Sequence, residues 1–241
     1  MNIWGITHRG VVRPENQDAF AVHTLSQSQV LGVVCDGMGG ARAGNVASTM
    51  AVKAFNELFF ELWRGGALTA DKLLESAAAH ANEGVHRRSN TDSECYGMGT
   101  TMVALLLDGA HATILNEGDS RAYHITPEHI TRVTRDHSLV EDMVLRGDLT
   151  PDEARFHPNK NLITRALGAE PDLHADLFEL DVSEGDFFVL CSDGLSNVVS
   201  DQEILYEVLH GGVAEDCCQR LLDIAIKRRA PDNVTVVLIA C

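Results

Sequence analysis

Apolar positions recur along this chain with two periods. Short apolar runs closed by turn residues read as strands at residues 3–8, 19–24, 30–35, 100–107, 112–116, 122–126, 130–134, 175–182, 186–191 and 234–240. Three longer stretches carry helical spacing. Over 44–63 the apolar positions include Val46, Met50, Ala54, Leu58 and Leu62. Residues 70–88 repeat the pattern with Leu73, Leu74, Ala77, Ala81 and Val85, and 213–228 with Cys217, Leu221, Leu222 and Ala225. A shorter helix is expected over 138–146, and another turn of helix after Thr150-Pro151-Asp152-Glu153, which carries helix-start signals. Leu107-Asp108-Gly109-Ala110 reads as a two-residue hairpin turn. Helices come in blocks between runs of strands, not in strict alternation. That order favours largely antiparallel sheets with helices layered outside, an α+β arrangement.

With 241 residues, 45% of them apolar, the chain can bury a sizeable core, and no linker or repeat marks a boundary inside it. Lys and Arg number 19 against 35 Asp and Glu, a net charge of −16. A field of that sign repels phosphate backbones and anionic lipid, so neither nucleic-acid binding nor a basic membrane anchor is expected. Docking partners with basic flanks would suit it better. The start, Met1 to His8, lacks a basic segment followed by an apolar one, so no secretory leader is expected. No apolar run approaches the roughly 18 residues of a membrane span. The six cysteines form no C-x-x-C pair, and a reduced, cytoplasmic setting fits them.

Two segments share one design. Gly32-Val33-Val34-Cys35 runs into Asp36-Gly37, and Phe187 to Ser192 runs into Asp193-Gly194. Each sets a carboxylate where a buried strand emerges, followed by a residue without a Cβ. The strand fixes the carboxylate and the glycine lets backbone and ion approach, as hard cations such as Mg²⁺ or Mn²⁺ require. A lone Asp-Gly is mainly a turn signal, and Asp108-Gly109 serves as an internal control for that reading. Asp18, Asp119 and Asp232 also fall at strand ends. Gathered together, these acids would repel one another unless cations neutralised them. Arg13, set extended by Pro14, offers a planar fork for phosphate oxygens.

Other chemistries lack their cues. The glycine-rich stretch after Asp36 misses the Lys-Ser/Thr of a phosphate-binding loop and the third glycine of a dinucleotide fingerprint. There is no His-Glu-x-x-His and no Gly-x-Ser-x-Gly.

Taken in order, Arg13-Pro14-Glu15-Asn16-Gln17-Asp18, Asp36-Gly37-Met38-Gly39-Gly40, Gly99-Thr100-Thr101, Gly118-Asp119-Ser120-Arg121, Asp136-His137-Ser138, Ile163-Thr164-Arg165-Ala166-Leu167-Gly168, Ser192-Asp193-Gly194-Leu195 and Asp232-Asn233-Val234-Thr235 resemble the motifs of the metal-dependent protein phosphatases, the protein phosphatase 2C-like family. The resemblance spans residues 13–235 and is similar to the small, single-domain bacterial members. It implies one catalytic domain over 1–241, built as two stacked, mainly antiparallel sheets flanked by helices, an α-β-β-α sandwich. A mobile flap would occupy about 139–162.

The resemblance also implies roles. Asp36 would bridge two Mn²⁺ or Mg²⁺ ions, with the Gly37 carbonyl on one, and Asp193 and Asp232 would complete the other's protein ligands. Asp119, with Asp193, would hold a third, weaker ion. Asp18, Gln17 and Asn233 would stand behind them, acting through water, and Arg13 would grip the substrate phosphate. The implied reaction is hydrolysis of phosphoserine or phosphothreonine in proteins by a hydroxide shared between two cations. Arg13, Asp36 and Asp193 are the residues the chemistry would rest on. Phosphorylated proteins and a cognate serine/threonine kinase would be the partners of a monomer. Two departures stand out: Gln17 where many members carry Glu, and Met38 where eukaryotic members carry a histidine. A non-catalytic regulatory domain on the same scaffold, or a phosphomonoesterase for small molecules, are the alternative readings.

Overall fold

The computed structural model describes the backbone of residues 1–241 and the side chains of all but residues 40–42. Strands β1 (Asn2–His8), β11 (Val234–Ala240), β10 (Phe187–Cys191), β7 (Arg121–Ile125) and β8 (Ile130–Arg132) form one sheet in that order. The second sheet runs β2 (Asp18–Thr24), β3 (Gln29–Met38), β5 (Met102–Asp108), β6 (His111–Glu117) and β9 (Asp176–Asp181), with β4 (Gly99–Thr100) beside the end of β3. Every pairing is antiparallel. Helices α1 (Gly40–Gly65) and α2 (Ala70–Thr91) cover the second sheet; α6 (Asp201–Leu209) and α7 (Cys217–Lys227) cover the first. The short helices α3 (Leu139–Arg146), α4 (Pro151–Arg155) and α5 (Asp193–Ser196) lie toward one end. The layers are therefore helix, sheet, sheet, helix, as expected. Among the described residues no helix is long and apolar enough to cross a membrane.

Side chains alternate across a strand, so each buried strand feeds two cores. In β3, Leu31, Val33 and Cys35 pack against α1 and α2, while Val30 and Val34 point between the sheets. Between the sheets they meet Leu105 and Leu107 of β5, Phe188 and Leu190 of β10, and Val237 and Ile239 of β11. In β11 the other parity, Val234, Val236 and Leu238, packs on α7. This double burial is why the strand sequences read as continuous apolar runs.

The predicted elements need four adjustments. The run at 100–107 divides into β4 and β5, because the backbone N–H of Thr101 donates to the Asp36 carbonyl at 2.8 Å and leaves the ladder. Asp108 ends β5 opposite His111, so the hairpin turn is Gly109-Ala110, one residue later than the Asp-Gly signal suggested. The helix expected from 213 starts as a 3₁₀ turn, Ala214–Asp216, and becomes α-helical at Cys217. Helices α5 and α6 were not anticipated.

Candidate active site

Counting by twos from the inter-sheet core leads to a polar cluster at one end of the sandwich. Val34 points between the sheets, so Asp36 does too; Phe20 and Val22 do in β2, so Asp18 follows. Asp18 and Asp36 are direct cross-strand partners. The same parity brings Ser192 beyond β10 and Thr235 in β11 to this end, and both are buried. Asp193 begins α5 immediately after β10, and Asp232 lies in the turn that leads into β11.

The cluster is held by hydrogen bonds from buried hydroxyls and backbone. Ser192 and Thr235 donate to Asp18 Oδ2 at 2.8 and 2.6 Å. The Asp36 backbone N–H donates to Thr101 Oγ1 at 2.9 Å, and Thr100 Oγ1 donates to the Asp36 carbonyl at 2.8 Å. Thr101 also shares a 2.7 Å bond with Ser120, tying the loop that carries Asp119 to β3. His137 grips the same loop twice: its Nδ1 accepts from the Gly118 N–H at 3.1 Å, and its backbone N–H donates to the Gly118 carbonyl at 2.9 Å. Its Nε2 lies 3.2 Å from Asp176. Two glycines permit close backbone approach. A Cβ on Gly37 would lie 2.0 Å from the Gly44 carbonyl oxygen, and one on Gly194 would lie 1.8 Å from that of Asn233.

Burial dominates the electrostatics. It raises the Asp18 carboxyl to about 7, with the two hydroxyls pulling the other way and Asp193 and Asp232 adding to the rise. Burial and then Asp18 push Asp36 well above the carboxylate range. Asp119 is pushed up to about 8 by burial and by Asp193, and Asp193 to about 6 by burial and by Asp232. Four acids in one desolvated place resist ionising together.

Arg13, Gln17, Asp36, Gly37, Asp119, Asp193 and Asp232 line one cavity of about 510 Å³, joined by Asn161 and Ile163. Asp18 is buried behind it. Asn233 accepts from the Gln17 N–H and donates to the Arg9 and Glu15 carbonyls, so its amide pins the segment carrying Arg13. Arg13 is half exposed and donates to Asp232 Oδ2 at 2.7 Å, a partner the sequence did not suggest. The positioning roles of Thr101, Ser120, Ser192 and His137 were also missed; all four lie in or beside the quoted motifs, and strand parity would have pointed to Ser192. Ser192 is fully buried against Asp18, which rules it out as an exposed nucleophile.

The residues fit divalent cations. Asp18 Oδ1 and Asp193 Oδ1 are buried with no partner among the described residues, and the donors are all hard oxygens, the type Mg²⁺ and Mn²⁺ take. Among the described residues no three acids or histidines close tightly around one point, so any ion here would complete its shell with water.

The sequence matches the protein phosphatase 2C family over residues 7–223. It is 34% identical over 236 residues to the serine/threonine phosphatase stp of Listeria monocytogenes serotype 4b (strain F2365), covering 97% of this chain and 93% of that one. The fold is similar to the crystal structure of the Mycobacterium tuberculosis serine/threonine phosphatase PstP/Ppp, with a TM-score of 0.87, 34% identity, and coverage of 98% and 97% of the two chains. It is also similar to the catalytic domain of PstP in complex with two manganese ions, at a TM-score of 0.84 and 32% identity over 98% of this chain and 96% of that one.

Proposed function

The chain belongs to the protein phosphatase 2C family, and we propose on that footing that it is a metal-dependent phosphatase acting on phosphoserine and phosphothreonine in proteins. One observation carries the reading: Asp36, Asp119, Asp193 and Asp232, far apart in sequence, share one cavity whose mouth holds the half-exposed Arg13.

Asp36, with the Gly37 carbonyl, and Asp193 and Asp232 are the residues that would hold two Mn²⁺ or Mg²⁺ ions, and Asp119 with Asp193 a third, weaker one. Bound there, such ions supply a water of lowered pKa as nucleophile and positive charge for the phosphoryl oxygens. The chain's own residues do the rest. Arg13 presents its fork to the phosphate and orients it for in-line displacement. Asn233 holds the 9–17 segment, and with it Arg13, at a set height above the carboxylates. Asp18, fixed through one oxygen, keeps its other oxygen free to orient water. Gln17 serves that water through a neutral amide. The leaving serine or threonine oxygen needs a proton, and Met38 cannot provide one. None of the described residues lining the cavity is a histidine, so a water takes that part.

Phosphorylated proteins are the substrates, and a cognate serine/threonine kinase the opposing enzyme, of a monomer in the cytoplasm. Six free cysteines, five of them buried, support the reducing setting. The purified chain should release phosphate from a phosphothreonine peptide with Mn²⁺ and stop with excess EDTA. Asp193→Ala should lose activity at every Mn²⁺ concentration; wild-type turnover across that titration would refute the site.

A further inference from the structure

We propose that the cleft continuing from the carboxylate cavity beneath α3 and α4 receives the peptide flank of the phosphorylated residue, and that it selects a flank bearing an acidic and an apolar side chain. The proposal rests on the phosphatase reading above and names the substrate feature that site prefers.

The cleft, about 590 Å³, shares Asp119, Asn161 and Asp193 with the carboxylate cavity, so a chain anchored by its phosphate runs into it directly. One wall belongs to the 138–161 segment and the other to residues 196–203, from the end of α5 through the turn into α6. Three of its five cations are already satisfied. Arg121 is paired with Asp136, Arg132 with Glu141, and Arg228 with Glu203. The other two, Arg155 and Lys160, have no side-chain partner among the described residues. Lys160 adjoins Asn161, which lines both cavities, so it stands near where they meet. Arg155 lines the cleft from the end of α4. Among the described residues the lining carboxylate with no ion-pair partner, outside the candidate ion ligands, is Asp201, which the N-terminus of α6 compensates. The local demand is therefore for negative charge.

The apolar element is Phe156, directly after Arg155 and 87% exposed. The half-buried Val144 and Ala154 line the same wall beside it, with Val140 buried behind them. An aromatic ring can bury 150 Å² or more, roughly, against a partner. A cation and an exposed ring on adjacent residues match an acidic and an apolar side chain on one extended segment. The net charge of −16 had suggested basic flanks. Contacts within a cleft are decided inside a Debye length of about 8–10 Å, and at that range Arg155 and Lys160 outweigh the distant surface.

The test compares kcat/KM for phosphothreonine peptides identical except for Glu, Ala or Lys at positions two to four residues before or after the phosphoresidue. The wild-type enzyme with Mn²⁺ should prefer Glu to Lys about two- to tenfold on one side of the phosphoresidue, and the preference should shrink in 0.5 M NaCl, the range expected for exposed charge pairs. Arg155→Glu, an exposed change, should erase or reverse it, and Phe156→Ser should remove a preference for Leu over Gly on the same side. Equal rates on all peptides, a preference for Lys, or a Glu preference that survives in Arg155→Glu would overturn the cleft assignment while leaving the phosphatase reading intact. No hydrolysis of any peptide would overturn both. A dimer at assay concentration that Arg155→Glu dissociates would give the cleft to a second copy of the chain and overturn the proposal.

Discussion

Replacing Gly194 by alanine sets two physical effects against each other. Gly194 lies inside α5, where alanine is favoured over glycine by up to about 1 kcal/mol. Propensity alone predicts stabilisation. The added Cβ, however, would lie 1.8 Å from the Asn233 carbonyl oxygen, when real Cβ contacts essentially never fall under 3.0 Å. The obstacle is backbone, so no side-chain rotation relieves it. The start of α5 and the turn before β11 must part by about 1.2 Å or more. Overpacking of this kind costs about 1–3 kcal/mol, with backbone displacement toward the upper end. The net loss is then about 2 kcal/mol, which for a chain of this size lowers Tm by about 4–8 °C. The same displacement separates Asp193 from Asp232, and a cation site tolerates shifts of only about 0.5 Å. Mn²⁺ affinity should fall ten- to a hundredfold, the range seen when the support of metal ligands is disturbed. Gly65→Ala is the control: it also sits in a helix, and nothing lies within 4 Å of its Cβ position. It should leave Mn²⁺ binding unchanged and raise Tm by about 1–3 °C. Calorimetric melts in EDTA and Mn²⁺ titration calorimetry read both quantities. A Gly194→Ala melt at or above wild type would refute the steric argument. A lowered melt with unchanged Mn²⁺ affinity would break the link to the site.

Thr235→Val keeps shape but deletes the 2.6 Å bond to Asp18 and the 2.7 Å bond to Thr7; it should cost about 1.5–3 kcal/mol in urea unfolding, and a loss under 0.5 kcal/mol would show that the hydroxyl does not support the buried carboxyl. Burial raises Glu117 to about 7 from an ordinary value near 4.5, with Arg165 opposing. The folded state therefore holds that proton longer, and wild-type stability falls as pH rises from 4.5 through 7. Glu117→Gln should gain on wild type between pH 5 and pH 8 in melts with EDTA, and a constant difference would be the contrary result. Glu203, lowered to about 2 by Arg228 and by the Ser200 backbone, has the opposite sign. Its contribution is present above about pH 4.5 and lost as pH falls through 2, so Glu203→Gln should be the less stable at pH 7 and converge with wild type in acid.

The parts legible from sequence were those written locally. Doubly buried strands show as unbroken apolar runs, and the two carboxylates at their exits, Asp36 and Asp193, announce themselves as strand ends followed by glycine. Helix α6 was missed although its signal was present. Ser200 and Glu203 form a capping box, but the buried face behind it is only Ile204 and Val208, too short a period to separate from a loop. What could not be read is non-local. That β1 pairs with β11, with Thr7 opposite Thr235, depends on closure over more than two hundred residues. The Arg13–Asp232 contact follows from that pairing and from Asn233 reaching back to Arg9 and Glu15. Family motifs bridged this gap for the site residues, since each motif carries its place in the fold with it. They carried nothing about Arg155 and Phe156, which lie between motifs.

The site and the stability of the fold pull in opposite directions, and strand parity explains why they cannot be separated. The gap between the sheets is filled along its length by Val30, Val34, Leu105, Phe188, Leu190 and Val237. The next positions of that parity at one end are Asp18 and Asp36, where continuing apolar residues would have extended the core. Hydroxyls from Ser192 and Thr235 satisfy one oxygen of Asp18, and its other oxygen, like one of Asp193, finds no partner among the described residues. An unpaired buried carboxylate is costly unless it is protonated or meets a cation. The acids at this end are raised toward neutrality for that reason. A divalent ion that bound them ionised would therefore stabilise the folded chain, and its affinity would enter the melting temperature through mass action.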